Sequence, residues 1–171
     1  NHTNRNILIN PSILLEFADK FLDHFINDST LDSIQNRVSI SITSLKPMEN
    51  ILVNQFSDTE DLCKAIRASC HLPSTKLRSV SFRGKRCIDG GFSNNNPMLE
   101  EDTLGISPFF FDRKADVKPR EIVPPWWAVI VPSEQRARHF FELGKRDAEN
   151  YITQMIEQGK SPKRKNPSKT S

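Results

Sequence analysis

Apolar side chains at Leu14, Ala18, Phe21, Leu22 and Phe25 recur at helical spacing behind the pair Asn10 and Pro11. A capping side chain followed by a proline suits a first helical turn, so the pattern predicts an amphipathic helix running to about Ile26. The period then changes. In "RVSISITSL", Val38, Ile40 and Ile42 alternate with Ser39, Ser41 and Thr43, the signature of a half-buried strand. "NILVNQF" reads as a second strand, paired with the first through the "KPMEN" turn. Ser57 and Glu60 stand at capping-box spacing ahead of Leu62, Ile66 and Ser69/Cys70, which predicts a short helix from about Asp58 that stops at Pro73.

"RSVSFRGKRCI" reads as a hairpin with Gly84 in its turn and a second arm that delivers Asp89. "TLGISPFFF" is expected as a further short strand. After a Pro-Pro-Trp-Trp segment, Ser133 is placed to cap a long helix whose apolar face holds Ala137, Phe140, Phe141, Ala148, Tyr151, Ile152 and Met155. Mixed helices and strands without repeats give an α/β or α+β class.

Composition changes this picture in two places. The 171 residues are 36% apolar and 26% charged, enough for one domain with a core. The net charge is +3, yet five basic residues and no acid lie from Gly159 onward; removing those five leaves −2 for residues 1–158. A nucleic-acid binder carries its basic residues along a face of the fold. Here the surplus lies in a Pro/Ser/Lys tail, expected to be disordered over 159–171, so no nucleic-acid partner is expected.

Cys63, Cys70 and Cys87 have no metal-ligand spacing, and an odd number without a framework suggests reduced, intracellular thiols. The histidines form no cluster, and no metal or other cofactor is expected. The longest apolar run, "WWAVIV", is six residues, far short of the roughly 20 of a membrane span. The chain opens "NHTNRN", without methionine, and is expected to be a fragment whose N-terminus lies upstream.

Candidate chemistry concentrates in "RCIDGGFSNNNP", Arg86 to Pro97. Ile88 is expected to be buried and Asp89 to emerge at the strand's end. Gly90 and Gly91 lack a Cβ and permit positive φ or close backbone approach. Asn94, Asn95 and Asn96 can bond loop amides and carbonyls, and Pro97 stiffens the exit. Two readings stand on these residues: a turn stabilised by its own aspartate, or a carboxylate held at a cleft to accept a proton.

The wider window resembles the patatin-like phospholipase family, in its animal-type, adipose triglyceride lipase-like subgroup. Five pieces match in order: "RVSISITSLKPMENILVNQFSDTEDLCKAIRASCHLPS", "RCIDGG", "FSNNNP", "GISPFFFD" and "FFELGKRDAENYI". The resemblance runs from about Asn10 to Ile156. It implies an α/β fold, the C-terminal part of a three-layer α/β/α sandwich over residues 1–158. It also implies hydrolysis of lipid acyl esters by a Ser-Asp dyad without histidine or cofactor.

By the same resemblance Asp89 is the dyad aspartate of the D-G-[GA] motif. Gly90 and Gly91 would let the loop lie against the nucleophile turn, and Asn96 and Pro97 continue the motif in a structural role. Lipid acyl esters are the implied substrates, at an intracellular membrane or lipid-droplet surface or in the cytoplasm.

One departure is large. The family's nucleophile lies in G-x-S-x-G, after a glycine-rich oxyanion loop. Neither occurs among the six glycines, Gly84, Gly90, Gly91, Gly105, Gly144 and Gly159. No nucleophile is therefore expected within this chain. Ser69 and His71, two apart on a helix, point to different faces, and Ser44 and Ser133 read as strand-end and cap residues. "PFFFD" and Trp126-Trp127 admit both an acyl- or membrane-facing surface and ordinary packing. Glu100, Glu101 and Asp102 read as a solvated acidic loop, and Arg83, Lys85 and Arg86 as solvent-exposed charges. Beside an esterase part, a non-catalytic lipid-binding or regulatory relative remains the alternative.

Overall fold

The computed structural model describes residues 11–73, 78–100, 103–124 and 133–160. It divides into two compact units, Ile9–Pro97 and Met98–Ser171, the latter taking in Asn1–Leu8.

The first unit holds α1 (Pro11–Phe25), α2 (Asp28–Ile34), β1 (Ile40–Leu45), β2 (Met48–Val53), α3 (Thr59–Ser69), β3 (Val80–Phe82) and β4 (Lys85–Asp89), with a 3₁₀ turn at Gly90–Phe92. The four strands form one antiparallel sheet in the order β2-β1-β4-β3. Both hairpins have two-residue loops: Leu45 pairs with Met48, and Phe82 with Lys85. In the second loop Arg83 and Gly84 both have positive φ, 46° and 76°. A two-residue loop with that geometry follows the natural twist of the strands, and glycine takes such a φ freely.

α3 packs on one face of the sheet against β1, β3 and β4. Its buried residues are Leu62, Ala65 and Ala68, and the two alanines let the helix lie close to the strands. With Ile42, Val53, Phe56, Phe82 and Cys87 they make the core. Burying such side chains is the main stabilising contribution, at about 25 cal/mol per Å² of apolar surface.

The helix begins one residue later than capping-box spacing predicts. Asp58, not Ser57, is the N-cap, accepting from the Asp61 amide at 2.7 Å, while the Asp61 carboxylate reaches back to the Ser57 amide at 3.3 Å. α2 gave little sequence signal because its seven residues carry only two apolar side chains, Leu31 and Ile34, which are partly buried against the core. It is held from its ends, by Asn27 capping the Thr30 amide and by Gln35 exchanging two hydrogen bonds with the Phe56 backbone.

The alternation in β1 also means something different from a solvated polar face. Ile42, Thr43 and Ser44 are all fully buried, so both faces of the strand are covered at its centre.

The second unit contains α4 (Glu134–Glu157), capped by Ser133 as expected. Its buried residues are Leu143 and Asp147, whereas Phe141 is 70% exposed and so does not belong to the apolar face. The strand expected in "TLGISPFFF" does not form. A single parallel bridge, Ile106 with Val117, stands in its place, and Pro108 removes the amide that would carry a ladder further. Among the described residues no helix is long and apolar enough to cross a membrane.

Arg83, Lys85 and Arg86 of the β3–β4 hairpin are solvent-exposed as expected, and the first two also form ion pairs. Arg83 forks onto Asp61, with nitrogen–oxygen distances of 2.5 and 3.1 Å, and also donates to the Gln55 carbonyl; Lys85 pairs with Glu49. The guanidinium holds the Asp61 carboxyl below its ordinary value of 3.8, against the opposing effect of burial. An aspartate with a lowered folded-state pKa contributes stability above its unfolded value and loses it as pH falls through the folded one. Asp61→Asn is expected to cost about 1–2 kcal/mol near neutral pH, by denaturant unfolding. The difference from the parent chain should shrink as pH falls below 3.8.

Candidate functional site

β4 ends at Asp89, whose backbone is held on both sides. Its amide donates to the His71 carbonyl at 2.9 Å, and its carbonyl accepts from the Thr43 hydroxyl at 2.7 Å. The side chain accepts from the Gly91 amide at 2.7 Å and so caps the 3₁₀ turn. The carboxyl is half-buried, and burial pushes its pKa up from the ordinary 3.8. The Gly91 N–H and nearby His71 act in the opposite direction without cancelling that effect. Both readings of "IDGG" are thus compatible with one geometry: the aspartate is a turn residue and a proton-affine carboxyl at once.

The two glycines do different work. Gly90 is buried, its φ is not positive, and a Cβ there would overlap the backbone carbonyl of Ser41. Glycine is required because two main chains meet. At Gly91 a Cβ would come within 3.0 Å of Asp89 Oδ1 and 3.4 Å of Asn95 Oδ1, side-chain ends that need shift by only a few tenths of an ångström.

The polar row of β1 receives this loop. Ser41 donates to the Asn94 carbonyl at 3.4 Å, and Thr43 and Ser93 share a hydrogen bond of 2.8 Å. From β2, the amide of Asn50, directly opposite Thr43, donates to Ser41 at 2.8 Å and Ser93 at 3.0 Å. Asn96 Nδ2 is buried without a partner, and Pro97 closes the unit. Ser41, Thr43, Asn50 and Ser93 were not singled out from the sequence. Their only trace was the polar half of the alternation, which reads as a solvated face until its cover is known.

Among the described residues no nearby nucleophile is activated. Ser93 is committed to the network just described. His71 is 1% exposed and neither ring nitrogen has a hydrogen-bond partner, so it does not activate Ser69 at the end of α3. The Cys70 thiol is pushed up by burial and by the charge of Asp89, the opposite of what a thiolate nucleophile needs. Ser44 lies near the end of β1, as expected, wholly buried and with its hydroxyl unpartnered.

Among the described residues no His, Cys, Asp or Glu cluster could hold a metal ion. Glu101 and Asp102, Trp126 and Trp127, and the tail from Ser161 onward lie outside the described residues. Phe109, Phe110 and Phe111 pack on one another at 5.3 Å, with Phe111 55% exposed.

This loop, sheet and helix lie inside the match to a known family. A model of patatin-like phospholipases matches residues 3–102, more than half of the chain and all of the first unit's described part. The chain belongs to the patatin-like phospholipase family, and its helices and antiparallel sheet are a part of that α/β fold.

Among curated relatives, it is 36% identical over 102 residues to human patatin-like phospholipase domain-containing protein 4, covering 58% of this chain and 40% of the relative. It is 36% identical over 91 residues to mouse 1-acylglycerol-3-phosphate O-acyltransferase, covering 52% and 22%. It is 29% identical over 116 residues to human omega-hydroxyceramide transacylase, covering 66% and 21%. The matches thus span well under half the length of these relatives. No solved structure matches the chain.

The contrast between the glycines is testable by denaturant unfolding of the chain. Gly90→Ala should lose roughly 3 kcal/mol or more, because backbone must move, whereas Gly91→Ala should lose about 1 kcal/mol or less. Equal losses would show that Gly90 is not set against β1.

Proposed function

We propose that this chain supplies the proton-accepting half of a Ser-Asp dyad in a lipid acyl-ester hydrolase, with Asp89 as the base and the serine outside these residues. The carrying observation is the held, half-buried carboxyl of Asp89, whose pKa is raised on a loop that the Ser41 backbone allows only glycine to complete. In this reading Gly90 and Gly91 seat the loop against the nucleophile turn, and Asn96 and Pro97 keep its exit rigid. Residues 1–158 form the patatin-like part, and 159–171 a basic tail.

The chemistry is a transfer in two halves. The serine oxygen bonds to the ester carbonyl carbon as its proton passes to Asp89. The tetrahedral adduct collapses, the ester C–O bond breaks, and Asp89 returns the proton to the leaving alcohol. Water then attacks the acyl-serine as its proton passes to Asp89; the second adduct collapses, the serine C–O bond breaks, and Asp89 returns that proton to the serine oxygen, releasing the fatty acid. The names of two relatives favour a second acceptor: if the hydroxyl of a lipid takes the place of water, the same steps make an acyltransferase.

Such substrates lie in membranes or lipid droplets. Exposed Phe110, Phe111, Ile106 and Ile122 of the second unit supply apolar groups for contact with that surface. Three free cysteines suit an intracellular setting.

Without a nucleophile and oxyanion donors, the chain alone is expected to hydrolyse acyl esters no faster than buffer. Placed behind the nucleophile-bearing segment of human patatin-like phospholipase domain-containing protein 4, it should release fatty acid from a monoacylglycerol or transfer it to a lysolipid. Asp89→Asn in that chimera should lower kcat by about 10²–10⁴-fold at unchanged folding. Activity that ignores Asp89→Asn would overturn the dyad, and a folded, inert chimera that still binds lipid would favour the non-catalytic alternative.

A further inference from the structure

Within the unit Met98–Ser171, α4 and residues 104–124 enclose a groove of about 670 Å³. Phe140, Leu143 and Tyr151 from the helix and Val117 opposite make it largely apolar; Ser107 and Lys118 also line it, the Lys118 ammonium donating to the Asp112 carbonyl at 2.7 Å, and the helix adds Gly144 and Asp147. They are three residues apart and share one helix face.

Asp147 is 5% exposed, and neither carboxylate oxygen has a hydrogen-bond partner. A carboxylate buried in this way costs stability unless a donor meets it. Gly144 lies inside a 24-residue helix, where glycine is weaker than alanine, and its φ is not positive. A Cβ there would meet no atom within 4 Å. Gly144 is itself solvent-exposed, so the space over it is open, while Asp147 on the same helix face has no donor.

We propose that this groove binds a single-chain amphiphile with a primary ammonium head, the alkyl chain lying over Gly144 and the head on Asp147. The volume falls within the roughly 300–1,000 Å³ of small-molecule sites and suits an alkyl chain. Donor number selects the head. Two unpartnered oxygens need two donors; a hydroxyl has one, whereas an ammonium has three and the complementary charge. Docking requires the Asp147 side chain to turn toward the groove. The site is independent of the ester chemistry assigned to Asp89, which belongs to the other unit.

Calorimetric titration of the 171-residue chain with dodecylammonium, kept below its micellar concentration, tests this. Saturable binding is expected, weakening about 4-fold for each methylene removed. Asp147→Asn should weaken it roughly tenfold or more while changing dodecanol binding by less than about twofold. Gly144→Leu should fill the groove and abolish binding of both, with Tm unchanged or raised because leucine favours the helix. No saturable binding, dodecanoate binding as tightly as the ammonium, full affinity in Asp147→Asn, or binding by a folded Gly144→Leu chain would each overturn the proposal.

Discussion

The Thr43 hydroxyl, donating to the Asp89 carbonyl at 2.7 Å, is the contact on which the rest of the first unit's loop depends. It joins the middle of β1 to the end of β4 on the sheet face that α3 does not cover. Once it is made, Gly90 must pass against the Ser41 backbone, and only a residue without Cβ can do so. The turn then closes with the Asp89 side chain on the Gly91 amide. Burial by this packing raises the carboxyl's pKa. A residue that looks like a turn former thus gains proton affinity from the packing that forms the turn.

That coupling has a thermodynamic sign. For an acid whose folded-state pKa is raised, the folded state holds the proton more tightly than the unfolded chain. The stabilisation is present at low pH and is lost as pH rises from the unfolded value through the folded one. Asp61 behaves oppositely, because Arg83 lowers its pKa. One unit therefore contains an aspartate that braces the fold when ionised and another whose ionised form costs stability. The second pattern is a common mark of a functional carboxyl.

The hairpin at Gly84, the end of β4 at Asp89 and the cap at Ser133 were legible because each rests on local rules, a twist-matched turn, alternation and an N-cap. The capping residue before α3 was misread by one position, since Asp58 caps the Asp61 amide and the Asp61 carboxylate accepts from the Ser57 amide. α2 was missed because two apolar residues, Leu31 and Ile34, are too few to establish a period. Phe141 was assigned to the wrong face because a helix crowded with aromatics fits more than one stripe. Of the candidate site, the aspartate and glycines stood out by type. Ser41, Thr43, Asn50 and Ser93 did not, because hydroxyls facing a covering loop alternate like hydroxyls facing water. Asp147 was hidden similarly: only packing shows that an aspartate within α4 has lost both solvent and partner.

The most direct measurement is a pH titration of the Asp89 carboxyl by carbon NMR in the folded chain, with an Asp89→Asn sample to assign the resonance. A midpoint clearly above the ordinary 3.8 is expected, since burial outweighs the Gly91 amide and His71. A midpoint at or below 3.8 would mean that the loop stabilises the ionised carboxylate, and Asp89 would then be a turn residue and not a base.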